Sequence, residues 1–263
     1  MKRGNSRKDG VVISLPSYAI FDLDGTLVDS QEGILHSFHA TLGESGLSRS
    51  DEELRELIGP PLNESFAKLG FADRELDEVL DRYREYYAAS GVTMCRLYDG
   101  IAQMLSRFRS SHIRLGVATA KRVDFAQQMI DSLGVAQYFE VVEGASVDGV
   151  ITSKKEIVAR VLEHFQPDDP RDVWMLGDRQ YDVQASIFHG LTPVGVLWGY
   201  GSRAELTSSG AALVVAHPSE LLSYEEESEG GDPVCWIHLT CPTCGVMQGG
   251  THRLAQCLTT ESS

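Results

Sequence analysis

No apolar run in these 263 residues approaches the ~20 needed for a helix to cross a bilayer, so a membrane span is not the organising feature. The start is basic but lacks the roughly 7–15-residue apolar stretch of a secretory signal, and export is not expected. Cysteine is scarce: of five, Cys95 stands alone, while Cys235, Cys241, Cys244 and Cys257 crowd the other end. That is no disulfide framework for a core, and a reducing cytoplasm is the expected setting. Positive charge is short as well, with 23 Lys and Arg against 38 Asp and Glu, a formal net charge of −15. Nucleic acids and anionic membrane surfaces are therefore poor partners. An anionic small molecule would also be repelled at long range, so its attraction must be local. The length suffices for one substantial α/β core with a small appendage.

The run Ala19-Ile20-Phe21-Asp22-Leu23-Asp24-Gly25-Thr26-Leu27 carries the most chemistry. An apolar strand ending at Phe21 leaves Asp22 and Asp24 pointing the same way, because side chains alternate faces along a strand. Gly25 lets the backbone turn without a Cβ penalty. Both acids are then expected at the strand's carboxyl end, where open α/β sheets bind ligands. Two acids so close resist ionising together unless a cation sits between them, which points to a metal. Asp-Gly is also a common turn dipeptide, so this motif alone leaves a surface turn open.

Three later segments supply parts that phosphoryl chemistry needs. Leu115-Gly116-Val117-Ala118-Thr119 reads as a buried strand ending in a hydroxyl, followed by Ala120, Lys121 and a helical stretch. A Thr at such a junction can donate to a phosphate oxygen beside free helix N–H groups, or simply cap the helix. Lys154 and Lys155 open a helical run and oppose its dipole, which an anionic ligand would explain; two solvated lysines are the plainer reading. Val173-Trp174-Met175-Leu176-Gly177-Asp178 reads as a strand ending in Gly-Asp, with Asp182 one helical turn later. That puts a metal-binding carboxylate at another strand tip with a second one behind it.

In their order and spacing, D-x-D-G-T, strand-Thr, Lys and G-D-x-x-x-D resemble the four motifs of the haloacid dehalogenase superfamily of phosphatases, across residues 18–222. Leu57-Ile58-Gly59-Pro60-Pro61-Leu62, Leu97-Tyr98-Asp99-Gly100-Ile101, Gly177-Asp178-Arg179-Gln180-Tyr181-Asp182 and Trp198-Gly199-Tyr200-Gly201 are similar to its phosphoglycolate phosphatases and the related nucleoside monophosphatases. Strand-helix alternation after residue 97 itself argues an α/β fold with a doubly wound parallel sheet. The resemblance implies the same Rossmann-like core with an inserted α-helical cap.

The expected organisation is an N-terminal tail over residues 1–16, a catalytic core over 17–30 and 97–222, a helical cap over 31–96, and an acidic linker and tail over 223–263. Within the cap stretch, Leu35, Phe38 and Leu42, then Leu54, Leu57 and Ile58, then Leu76, Val79, Leu80, Tyr83 and Tyr87 recur at helical spacing. Two prolines make Gly59-Pro60-Pro61-Leu62-Asn63 a rigid loop between helices. A connector is always needed there; the resemblance turns this loop toward the site, making Gly59 and Asn63 substrate-contact candidates.

The resemblance implies roles for the rest. Asp22 attacks phosphorus in line, and Asp24 protonates the leaving oxygen and then activates water. Mg²⁺ is held by Asp22, the backbone carbonyl of Asp24 and Asp178, with Asp182 behind them. Thr119 and Lys154 hold the phosphoryl oxygens, Lys154 being the lysine two positions before Glu156. Gly25, Thr26, Ala120 and Lys121 complete the substrate-binding candidates. The expected partner is a small phosphomonoester, phosphoglycolate or a nucleoside monophosphate, and the expected assembly a monomer or weak dimer. A cap cation would suit the former and an aromatic platform the latter; Arg55, Lys68, Tyr83, Tyr86 and Tyr87 are the side chains on offer. A sugar phosphomutase shares the motifs, but Ile34 and Leu62 stand where those enzymes carry a cap His and Arg. A non-catalytic binder would have lost an acid, and none is missing.

Both ends lie outside the resemblance. Glu225-Glu226-Glu227 and Gly230-Gly231-Asp232-Pro233 read as a solvated linker. Cys241-x-x-Cys244, with Cys235 and His238, resembles part of a zinc site. No hydrophobic periodicity surrounds these residues, and a poorly ordered tail is the leading expectation.

Overall fold

The β-branched and aromatic runs of the sequence become strands. A computed structural model of the protein describes residues 11–222, 224–225 and 234–237. Four strands precede the core crossovers: β1 (Val11–Ser14), β2 (Tyr18–Phe21), β3 (Val28–Asp29) and β4 (Arg96–Leu97). The remainder are β5 (Arg114–Arg122), β6 (Val141–Ala145), β7 (Val173–Gly177), β8 (Thr192–Val196), β9 (Leu213–Val215), β10 (Tyr224–Glu225) and β11 (Val234–Ile237). Helices α1 (Gln31–Glu44), α2 (Asp51–Arg55), α3 (Leu62–Lys68) and α4 (Asp73–Ala89) lie between β3 and β4. After β4 come α5 (Ile101–Ser110), α6 (Val123–Ser132), α7 (Lys154–Phe165), α8 (Gln180–Phe188) and α9 (Arg203–Ser208).

Six of the strands form one parallel sheet in the order β6-β5-β2-β7-β8-β9. The α/β, doubly wound architecture expected from the alternation is the one found. Such strands are covered on both faces and read as unbroken apolar runs; every residue of β7 is buried. Ile20 packs with Val158, Val161 and Phe165 of α7 and Ala185 of α8. Its neighbour Phe21 points to the opposite face and meets Phe108 of α5 at 6.2 Å between ring centroids. The first strand in the core is thus central, with β5 on one side and β7 on the other. Its chain leaves toward both edges, which makes its carboxyl end a topological switch point.

The helical insert has its own aromatic core. Phe38 of α1 lies 5.1 Å from Phe66 of α3 and 5.0 Å from Tyr83 of α4. Gly33 is required where α1 crosses the short turn Gly91–Thr93, because a Cβ there would lie 2.0 Å from the Gly91 carbonyl oxygen. At the base of the insert β3 and β4 pair antiparallel, Val28 opposite Leu97 and Asp29 opposite Arg96, with an Arg96–Asp29 ion pair at 2.7 Å.

Two local readings change. The strand through Thr119 does not yield to a helix there but runs on to Arg122, with a register shift against β6 between Thr119 and Arg122. Asn63 lies in the first turn of α3 rather than in a loop, since Pro61 serves as the helix N-cap and its fixed φ suits a helix start. Outside residues 16–220, β1, β10 and β11 form a separate antiparallel sheet in the order β1-β11-β10. Val234-Cys235-Trp236-Ile237, expected in a poorly ordered tail, forms a strand opposite Val11–Ser14, as its β-branched and aromatic content allows. The zinc reading rests on Cys241, Cys244 and His238, which lie outside the described residues. Among the described residues, no helix is long and apolar enough to cross a membrane.

Candidate active site

Three neighbouring strands deliver the chemistry-bearing side chains to one place. Asp22 directly follows β2, where its amide donates to the Leu176 carbonyl of β7 at 2.9 Å. Thr119 lies in β5, and Asp178 directly follows β7. Gly25 turns the chain at φ +81°, and a Cβ on it would sit 2.3 Å from Asp178 Oδ2. The glycine therefore serves close approach as well as the turn.

Asp22, Asp178 and Asp182 are all buried, and each offers a carboxylate oxygen within 4.8 Å of the others. Lys154, the first residue of α7, reaches into the same place. Its ammonium lies 2.6 Å from Asp22 Oδ1 and 2.9 Å from Asp182 Oδ1, and donates to the Ala118 carbonyl at 2.9 Å. Burial works against that ammonium, but the charges of Asp182 and Asp22 outweigh it and raise its pKa. Burial also dominates at Asp22, whose carboxyl is pushed up to about 6 despite Lys154, and at Asp178, which is raised well above the ordinary carboxylate range. Three buried carboxylates thus face a single ammonium. Oxygen donors in that charge state suit a hard divalent cation such as Mg²⁺, and a cation there would offset the burial and the mutual repulsion that raise these acids.

Asp24 is arranged differently. Its carboxylate does not join the other three: Ser30 Oγ donates to Oδ1, and Lys121 Nζ lies 3.0 Å from Oδ2. Each acid of the D-x-D pair thus has its own buried lysine, Lys154 beside Asp22 and Lys121 beside Asp24. Lys121 also donates to Tyr87 Oη at 2.8 Å and lies over the Tyr87 ring at 4.3 Å. Burial opposes its charge, but Asp24, Tyr87 and Tyr83 together outweigh it, and its pKa is raised.

The remaining candidates divide. Thr119 is buried, and its hydroxyl oxygen accepts from the Lys121 amide at 3.2 Å, leaving its proton free to donate. Ala120 is half-buried near the end of β5, and the Lys121 side chain beside it is largely buried. Thr26 is turned inward, donating to Asp178 Oδ1 at 3.5 Å. Gly59 lies against Arg179, and Asn63 is exposed on α3. Of the aromatic candidates, Tyr83 and Tyr87 are buried in the insert rather than presented as a platform.

Several supporting residues had no assigned role in the sequence reading. Tyr200 donates its amide to Asp178 Oδ2 at 2.7 Å, and Trp198 Nε1 donates to the Thr26 carbonyl at 2.8 Å. The loop bearing them can come this close because a Cβ on Gly199 would lie 2.1 Å from the Gly25 carbonyl oxygen, and one on Gly201 1.7 Å from that of Asp178. The signal was the Gly-x-Gly spacing of Trp198-Gly199-Tyr200-Gly201. Arg179 donates its amide to Asp182 Oδ2 at 3.1 Å.

A family profile described as haloacid dehalogenase-like hydrolase matches residues 19–196, well over half of the chain. The protein belongs to the haloacid dehalogenase-like hydrolase family. Within this family it is 38% identical over 207 residues to the tyrosine-protein kinase PtkA of Mycobacterium tuberculosis, covering 78% of this chain and 70% of that protein. It is 33% identical to a 5'-nucleotidase of Pseudomonas aeruginosa, over 71% of this chain and 85% of that one. Among solved structures, a predicted phosphatase from Clostridium acetobutylicum superposes with a TM-score of 0.75 at 35% identity, over 79% of this chain and 97% of that one. The protein is accordingly a phosphatase-type hydrolase of the haloacid dehalogenase-like family, as its motifs implied.

Proposed function

We propose that this protein hydrolyses a small phosphomonoester of the phosphoglycolate type through an aspartyl phosphate on Asp22, with Mg²⁺ as cofactor. The observation that carries this reading is the convergence of Lys154 with three buried carboxylates at the carboxyl ends of β2 and β7. Asp22, Asp178, Asp182 and the Asp24 carbonyl are the groups that would hold the metal, which when bound offsets the negative charge of nucleophile and phosphate.

Asp22 supplies the oxygen that forms the new bond to phosphorus as the ester P–O bond breaks. Asp24 gives a proton to the departing oxygen and then takes one from the water that cleaves the acyl phosphate, which restores both acids. Lys154 keeps Asp22 oriented and offsets charge on the phosphoryl oxygens, and Thr119 donates a hydrogen bond to one of them. Lys121 is the buried cation beside Asp24, suited to a carboxylate or other second anionic group next to the reacting phosphate. With Tyr83 and Tyr87 packed inside the insert, little aromatic surface is offered to a nucleobase, which favours the smaller substrate. The helical insert over residues 31–96 would act as a cap that excludes water during turnover. A cytoplasmic setting and a monomer or weak dimer complete the proposal.

The reading is tested by phosphate release from a panel of small phosphomonoesters and nucleoside monophosphates, with and without Mg²⁺, by wild type and Asp22→Asn. Turnover of a small acidic ester that needs both metal and Asp22 is the expected result. Preference for nucleotides would favour the 5'-nucleotidase alternative, in line with the Pseudomonas relative. The 38% identity to a protein named a tyrosine kinase makes one control necessary: transfer from ATP to a tyrosine peptide in place of water would replace the hydrolase proposal.

A further inference from the structure

Arg179 spans two parts of the molecule that no sequence motif connects. Its amide binds Asp182, and its neighbour Asp178 belongs to the buried carboxylate group. Its guanidinium pairs through Nε with Glu205 Oε1 at 2.9 Å, and through Nη1 donates to the carbonyl of Ile58 in the segment joining α2 to α3. Glu205 Oε1 also accepts from the Gln180 amide at 2.9 Å, so one carboxylate holds the guanidinium and the start of α8 together.

The far side of this contact is built to receive it. Gly59 has φ +109°, and a Cβ on it would lie 2.5 Å from Arg179 Nη1 and 3.0 Å from Arg179 Cγ. The arginine occupies the space that only a glycine leaves. The receiving segment is stiff, with Pro60 and Pro61 following, and Ser65 Oγ fastens it to α3 by donating to the Leu57 carbonyl at 2.8 Å. A planar fork bonded at both ends loses little entropy per bond and fixes direction as well as distance.

We propose that Arg179 is a positioning residue: it fixes the segment before α3 against the Asp178–Asp182 turn, and so sets where the helical insert meets a substrate held at Asp22. This rests on the phosphatase reading above and adds a determinant of substrate fit that touches neither phosphate nor nucleophile. A contact of this kind changes substrate binding more than the bond-breaking step, and changes it most for substrates that the insert must grip.

The test uses the full chain and two substrates, the best small phosphomonoester of the panel and a generic aryl phosphate. Arg179→Ala and Glu205→Gln are each expected to raise KM for the former about tenfold while leaving kcat within about threefold. The aryl phosphate should change little. Glu205→Gln keeps an acceptor for the Gln180 amide, so it loosens the guanidinium without unmaking the start of α8. The double variant should be no worse than Arg179→Ala, because both act through one contact. Amide exchange of residues 57–59 provides a readout independent of turnover: these amides should exchange faster in both variants, with the α1–α4 contact unchanged. Equal losses of kcat on both substrates, additive effects of the two substitutions, or unchanged exchange over 57–59 would overturn the proposal. If wild type turned over no phosphomonoester while the variants still loosened 57–59, the reaction assignment would fall and the positioning role would stand.

Discussion

Lys121 lies 3.0 Å from Asp24 and is 2.8 Å from Tyr87 Oη, so a single ammonium joins the proposed proton donor to the last long helix of the insert. Both charged side chains are largely buried, at 9% and 16% exposure. Removing one member of such a pair leaves the other uncompensated and costs about 3–5 kcal/mol. Lys121→Met should therefore lower the free energy of unfolding in urea by an amount of that order. Lys121→Arg, which keeps the charge, should lose much less.

Lys154 makes the same argument at the nucleophile, with a different remedy. Lys154→Gln leaves three carboxylates facing one another, so the metal-free protein should be strongly destabilised. Mg²⁺ should restore more stability to this variant than to wild type, because the cation then does all of the neutralising. Thermal unfolding with and without Mg²⁺ checks this, and equal metal-induced shifts in the two proteins would contradict it.

The raised pKa of Asp22 has a defined sign. Its folded value of about 6 exceeds the ordinary 3.8. Between those values the folded protein holds a proton that the unfolded chain has released, so stability falls as pH rises through this window. Without divalent metal, the urea midpoint of wild type should fall more steeply from pH 4 to pH 6.5 than that of Asp22→Asn. Mg²⁺ should flatten the wild-type slope, since the metal favours the charged carboxylate.

Gly199 permits the Tyr200 amide to reach Asp178. Gly199→Ala would push against the Gly25 carbonyl and the Asp178 side chain. Because groups that orient a ligand are worth about 10–100-fold in metal affinity, Mg²⁺ affinity by calorimetry should drop by about that factor. The circular dichroism spectrum should not change.

The central strand, the acids after it and the parallel sheet were legible because each is written locally. Ala19-Ile20-Phe21 is apolar without interruption, and Asp22 and Asp178 stand at strand ends by simple position. The helical insert was legible from spacing in the same way: Val79, Leu80, Tyr83 and Tyr87 share one face of α4 and are buried. What escaped depends on contacts between distant residues. The partnering of Asp24 by Lys121, and of Ile58 by Arg179, joins positions 97 and 121 residues apart. The spacing set Tyr83 and Tyr87 apart from Tyr86, a surface partner of Glu44, but did not show that Tyr87 meets Lys121. The extension of β5 past Thr119 was hidden because Ala-Lys-Arg favours helices; pairing with β6 overrides that preference.

The position of β2 between β5 and β7 also bears on how the protein is made. Tyr18 is opposite Arg114 on one side and Val173 on the other. A ribosome therefore releases the nucleophile's strand first, long before either flanking strand exists. Until Val173 emerges, that strand has at most one wall, and Asp22 has neither Asp178 nor Asp182 beside it. Pairings this distant in sequence form late and slowly, so Asp22 gains its full setting only once β7 has been made and closes on a strand synthesised well before it.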